Sequence, residues 1–288
     1  KTTIYMQSFI KVFLVGSLFF ILMPGYQSVK CQVVFEINDF KAEKESITTV
    51  EGSELFSSFL RICPAKANTQ GAAWYSENKI NLVDGFYTEF EFKISNSDEV
   101  LDGGDGFCFV VQNQGPDVIG GLGNDLGYKQ LNQALAIEFD IVQDVGEESS
   151  NHVCLSFYDP AMGYYRKYAT VHSIPELNDG NSHFARIEYR EGQLVFYLDS
   201  YLFPILTVKL DIPNRINSPD GFGWVGFTSA TSEAYADHDL LSWTLGNYSP
   251  PPEDIKVEEI KIEESDEIVV KNRKLTISIW DDDLLDGD

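Results

Sequence analysis

The residues of this chain best suited to chemistry lie in one stretch, Leu135–Phe157, LAIEFDIVQDVGEESSNHVCLSF. Glu138 and Asp140 are two apart in an apolar run that reads as a strand, so both carboxylates project from one face. Like charges placed together repel, and burying them is costly unless a cation neutralises them. Asp144, Glu147, Glu148 and His152 follow in a loop and at the start of the next apolar run. Oxygen donors suit calcium, whereas carboxylates with an imidazole suit a transition ion such as manganese. A solvated acidic edge beside a surface histidine accounts for the same residues, and the cluster alone does not separate these readings.

The elements that must hold this cluster are strands. Gly85–Ile94 places Phe86, Thr88, Phe90, Phe92 and Ile94 in alternation with Tyr87, Glu89, Glu91 and Lys93, the period of a strand with one face in a core. Similar runs occupy residues 106–112, 134–142, 152–157, 184–189, 194–198, 223–228 and 240–245, separated by Gly, Asn, Asp and Pro turns. No long helical periodicity follows the amino-terminal segment. Many strands without helices predict two packed antiparallel sheets. The tyrosines of 158–168 suit an aromatic hairpin, explained equally by strand packing and by binding.

The net charge of −24 over 288 residues repels phosphate backbones and anionic lipid, which argues against nucleic-acid and membrane-surface partners. The 12-residue apolar run Val12–Met23, preceded by Lys11 and broken by Pro24 and Gly25, is too short to span a bilayer comfortably. It reads as a secretory signal over 1–31, with residues 1–5 upstream of the first methionine, Met6. The expected location is therefore extracellular, with periplasm and cell surface as variants. Cys31 falls at the expected cleavage point. Cys63, Cys108 and Cys154 leave an odd number, and buried free thiols are expected rather than a disulfide framework. A sandwich is expected over 32–248 and a proline-rich linker over 249–254. An acidic segment at 255–288 then reads as the start of a second, truncated β module. Its alternation of Leu275, Ile277 and Ile279 ends in Trp280 and the solvated acidic turn of Asp281–Asp283 and Asp286–Asp288.

Several stretches, in order, carry a family likeness: Gly104-Asp105-Gly106-Phe107, Gly120-Gly121-Leu122-Gly123, Ala136-Ile137-Glu138-Phe139-Asp140, Asn151-His152-Val153, Asp179-Gly180-Asn181, Gly226-Phe227-Thr228-Ser229 and His238-Asp239-Leu240. Together they resemble the L-type (legume) lectins, including bacterial secreted relatives, from Val33 to Tyr248. The resemblance implies an all-β, concanavalin-like antiparallel sandwich (a jelly roll) that binds carbohydrate through loops at one end. It implies a calcium and a transition metal side by side. Glu138 and His152 would hold the transition ion, Asp140 would bridge both ions, and Val142 would offer its carbonyl to calcium. Asp144 would stand at the usual asparagine position and Glu147 at that of a bridging aspartate. Asp105, after a cis peptide at Gly104–Asp105, would accept hydrogen bonds from sugar hydroxyls, and Gly120 and Gly121 would bring N–H groups to the sugar.

The departures matter. Glu147 replaces a shorter aspartate, Glu148 a proline, Asp144 an asparagine, and the loop between Asp144 and Glu147 is about two residues shorter than in plant members. Val142 stands where many members place a stacking ring, a loss of about 1 kcal/mol of contact; Tyr235 is a candidate replacement. Calcium alone and a full pair of ions both remain open, as does pairing of edge strands between subunits. Two other functions compete with sugar binding. One is a glycan-independent adhesin, favoured by the missing ring. The other is a glycoside hydrolase with Glu-x-Asp-x-Glu on one strand. In that arrangement nucleophile and acid/base straddle the bond about 5 Å apart. Val142 occupies the third acid's position, so nothing on that strand can protonate a leaving group. No reducing-sugar release from β-glucans is therefore expected. Turnover that disappears in Glu138→Gln would contradict this.

Overall fold

In a computed structural model, the structure describes residues 30–98, 100–101 and 103–249, together with two short antiparallel strand pairs, Val12–Val15 with Leu18–Ile21 and Ile268–Val270 with Arg273–Leu275. Most of the expected signal segment, the proline linker and residues 276–288, with the acidic turn, lie outside the described residues. Residues 29–250 form one compact unit.

In chain order its strands are β1 (Lys30–Ile37), β2 (Ile47–Glu51), β3 (Leu60–Cys63), β4 (Gln70–Tyr75), β5 (Phe86–Ser95), β6 (Gly106–Gln112) and β7 (Ala134–Asp140). They continue as β8 (His152–Asp159), β9 (Tyr164–Val171), β10 (Ser182–Arg190), β11 (Gln193–Leu198), β12 (Leu206–Lys209), β13 (Phe222–Ala230) and β14 (Asp237–Ser249). One sheet runs β9-β8-β7-β6-β13-β4-β2, the other β12-β11-β10-β5-β14-β3 with β1 on β14, and a two-residue strand completes each. All these pairings are antiparallel. The architecture is the concanavalin-like sandwich. Helix is confined, among the described residues, to the single turns Ile212–Arg215 and Gly123–Asp125.

The alternating phenylalanines meet between the sheets. Phe107 stacks on Phe139 at 4.5 Å, and Phe90 meets Phe227 edge to face at 4.8 Å. Such pairs add about 0.5–1.5 kcal/mol beyond the area they bury. The sequence reads β6 and β7 as half-buried strands, and here the structure differs: both are buried on both faces. The segment between them folds back over the outer face of their sheet. There Leu126, Tyr128 and Leu131 join Trp74, Cys108, Val110 and Ala136 in a second apolar cluster. Trp74 Nε1 donates to Val118 O (2.8 Å) and Thr228 Oγ1 to Leu126 O (2.8 Å), tying the segment down. Cys63, Cys108 and Cys154 are buried free thiols, as expected.

This double cover is what puts Glu138 and Asp140 out of water. Phe139, between them in sequence, points the other way and touches the rings of Phe92, Phe107 and Phe196. Phe139→Ala is expected to cost about 3–5 kcal/mol, read as a lower urea midpoint at unchanged slope. A change below about 1 kcal/mol would contradict this packing.

Candidate functional site

Strand register builds the site. Gly106 of β6 pairs with Asp140 of β7 on one side and Ala230 of β13 on the other. Asp105, one residue before Gly106, is thereby held between the loops that leave those strands. Its N–H donates to Ala230 O (3.2 Å), and its carbonyl accepts from Ile141 N (3.1 Å). The Gly104–Asp105 peptide is cis, as the resemblance implies. Asp105 is 3% exposed, and Oδ1 accepts from Ser232 N at 2.7 Å. Burial, with the nearby Asp144 carboxylate, raises its pKa against the pull of Ser232.

Three further segments converge there. A Cβ at Gly104 would come within 2.9 Å of Ala234 Cβ and 3.2 Å of Val142 Cγ2, so the close approach requires glycine. Val142 therefore packs against the Asp105 turn as an apolar wall. Gly123 has φ +61°, and a Cβ there would lie 3.6 Å from both Asp105 Oδ2 and Ser232 Cβ. The expected N–H donors, Gly120 and Gly121, are instead committed to Gly127 O (2.6 Å) and Lys129 O (2.9 Å). They shape the loop, and Gly123 is the residue brought to Asp105. Tyr235 is half-buried and its side chain hydrogen-bonds Asp98.

The acid cluster lies on the outer face, as the i, i+2 spacing predicts. Glu138 and His152 are fully buried and Asp140 is 3% exposed. One ligand atom each from Asp140, Glu147 and His152 lie within 4.8 Å of one another. His152 Nε2 is 3.9 Å from Asp140 Oδ2 and 3.7 Å from Glu147 Oε1. His152 Nδ1 meets Ser149 O at 3.1 Å. A carbonyl only accepts, so Nδ1 carries the proton and Nε2 turns its lone pair to the carboxylates. Asp140 Oδ1 accepts from Val142 N (3.0 Å), and Glu147 Oε2 from Asp144 N (2.7 Å).

Two of these buried atoms, Glu138 Oε2 and His152 Nε2, have no hydrogen-bond partner. Burial pushes Asp140 up to about 8, Glu138 and Glu147 adding to the rise against the Val142 N–H. Unpartnered lone pairs beside a carboxylate that resists ionisation call for positive charge, and the oxygen-rich set of Asp140, Asp144 and Glu147 fits a divalent cation. Glu138 and Asp140 thus share one face with Glu147 and His152, while Asp144 stands beside Asp105.

Spacing gave no sign of other contributors. The buried Tyr128 hydroxyl donates to Glu138 Oε1. Lys167, from β9, places its ammonium on Glu147 Oε1. His172 lies 5.7 Å from His152, ring to ring, with Nδ1 unpartnered. Of the other histidines, His183 is held by Asp179 and Asp199, and His238 is fully buried. Asp239 forms two 2.8 Å bonds to Arg61.

A sandwich with this loop cluster and an internal acid-imidazole set defines a lectin-type binding domain. A model of the legume lectin domain matches residues 32–261, and the chain belongs to that family. A lectin of Pisum sativum is 26% identical over 239 residues, covering 73% of this chain and 82% of that protein. Among solved structures, the metal-free lectin I-B4 of Griffonia simplicifolia superposes with a TM-score of 0.62 at 22% identity, over 74% of this chain and 98% of that one. The exoplasmic/lumenal domain of VIP36, in its Ca2+/Man2-bound form, does so with a TM-score of 0.58 at 14% identity, over 80% and 93%. The chain is a legume-type carbohydrate-binding domain, and Val142 occupies the position of the hydrolase's third acid.

The titration of Asp140 sets a pH dependence. A carboxyl whose folded pKa stands above its unfolded value keeps a proton that the unfolded chain has lost, so stability falls as pH rises from 3.8 towards about 8. Burial lowers the pKa of His152 and takes that of His238 down to about 4, which works the other way up to 6.5. Metal-free protein should therefore lose thermal stability between pH 6.5 and 8, and saturating calcium should abolish that loss. A flat or rising metal-free profile would contradict the assignment.

Proposed function

We propose that this chain is a secreted lectin whose sugar-binding loops are organised by calcium. Asp140, Asp144, Glu147 and the Val142 carbonyl hold the ion, which neutralises the acids and fixes the 142–147 loop against the Asp105 turn. Asp105 then accepts hydrogen bonds from sugar hydroxyls, with Gly123 leaving room for the ring. The observation that carries this reading is the buried Asp105 carboxylate, held by the Ser232 N–H where four segments converge. The likeness to a Ca2+/Man2-bound domain supports the pairing of ion and sugar. The short apolar run near the amino terminus supports secretion.

A protein-binding adhesin is the second reading. It is favoured by Val142 at the ring position and by the engagement of Tyr235 with Asp98. A glycan array run in calcium and in chelator separates the two: signal that requires calcium supports the lectin, and retained protein binding without glycan signal supports the adhesin. Asp105→Asn keeps the side chain's volume and removes its charge. It should weaken glycan capture roughly 10- to 100-fold while thermal stability stays near that of the parent. Unchanged affinity would place the site elsewhere.

A further inference from the structure

Lys167 faces the acid cluster because of an irregularity in its strand. On β9, Tyr165 packs with the outer cluster of Trp74 and Tyr128, and Ala169 packs against the inter-sheet core. Thr170 Oγ1 donates to Cys154 Sγ on the outer face (3.3 Å). Outward positions thus fall at 165, 167 and 170, a break in strict alternation. The register explains it: Leu155 pairs with Ala169, but the next residue, Ser156, pairs with Lys167, leaving Tyr168 as the extra residue of a bulge. A bulge re-aims the side chains beyond it. Without it, Lys167 would point between the sheets.

What the bulge achieves is a cation on the cluster. The ammonium sits on Glu147 Oε1, the same oxygen that faces His152 Nε2 at 3.7 Å, and Lys167 lines one cleft with Glu138. A metal ion drawing on Glu147 Oε1 and His152 Nε2 would have to share that oxygen with a fixed positive charge, and like charges at such separations repel strongly.

We propose that Lys167 is a tethered cation that takes over the electrostatic role of the transition ion, so that calcium is left the side of Asp140, Asp144 and the Val142 carbonyl, reached by Glu147 through Oε2 and not through the lysine-bound Oε1, and a transition ion is excluded from the side lined by Glu138 and His152. The calcium part rests on the reading given above; the lysine part stands on the bulge and the shared oxygen.

The test uses the full chain, stripped of metal, saturated with Ca2+ and titrated with Mn2+, the free ion being read by electron paramagnetic resonance. Lys167→Met and Lys167→Gln should each take up one Mn2+ per chain, at least about tenfold more tightly than wild type, while Lys167→Arg stays with wild type. Circular dichroism identifies the folded variants. Folded neutral variants that bind Mn2+ no better than wild type would overturn the proposal, as would wild type binding it as tightly as they do. Calorimetry of wild type with Ca2+ alone separates the two readings. No Ca2+ uptake sinks the calcium reading, whereas Mn2+ gained by the neutral variants upholds the lysine.

Discussion

Two carboxylates on one face of a doubly covered strand must be neutralised, by a proton or by a counter-charge. Glu138 and Asp140 sit where Tyr128, Trp74 and their neighbours exclude water, and Glu147 closes in from the next loop. The desolvation cost of such a group is several kcal/mol per ion after relaxation. Hydrogen bonds from Tyr128 and from the Val142 N–H meet only part of it. The remainder falls to protonation, to Lys167 or to a bound cation.

The sandwich is arranged around that constraint. Its phenylalanine core fixes the register of β6, β7 and β13, which brings Asp105, the start of the 142–147 loop and Ser232 to one end. The covering segment that buries the acids also carries Gly123 to Asp105. One loop therefore dries the cluster and lines the Asp105 turn, so the two are linked through shared backbone and not through a distant relay.

Much of this was legible in the residues. The alternation in Gly85–Ile94 and the i, i+2 placement of Glu138 and Asp140 are properties of strand geometry, and they survive folding unchanged. The features that escaped depend on tertiary events with no local signature. The one-residue bulge at Tyr168 shifts parity, so strict alternation back from Ala169 would turn Lys167 inward where the structure turns it outward. Burial of the second face of β6 and β7 comes from a segment whose own sequence is loop-like. The resemblance implies Gly120 and Gly121 at the sugar, but which glycine approaches Asp105 follows from hydrogen bonds to Gly127 and Lys129 made after folding.

In the proposed lectin, a divalent cation answers the charge of this cluster and holds the loops beside it. An anomalous-scattering map of crystals grown in calcium tests it most directly. One strong peak is expected, bounded by the Asp140 and Glu147 carboxylates and the Val142 carbonyl, with Asp144 turned towards it. A map with no peak there, and those carboxylates turned to solvent, would contradict it.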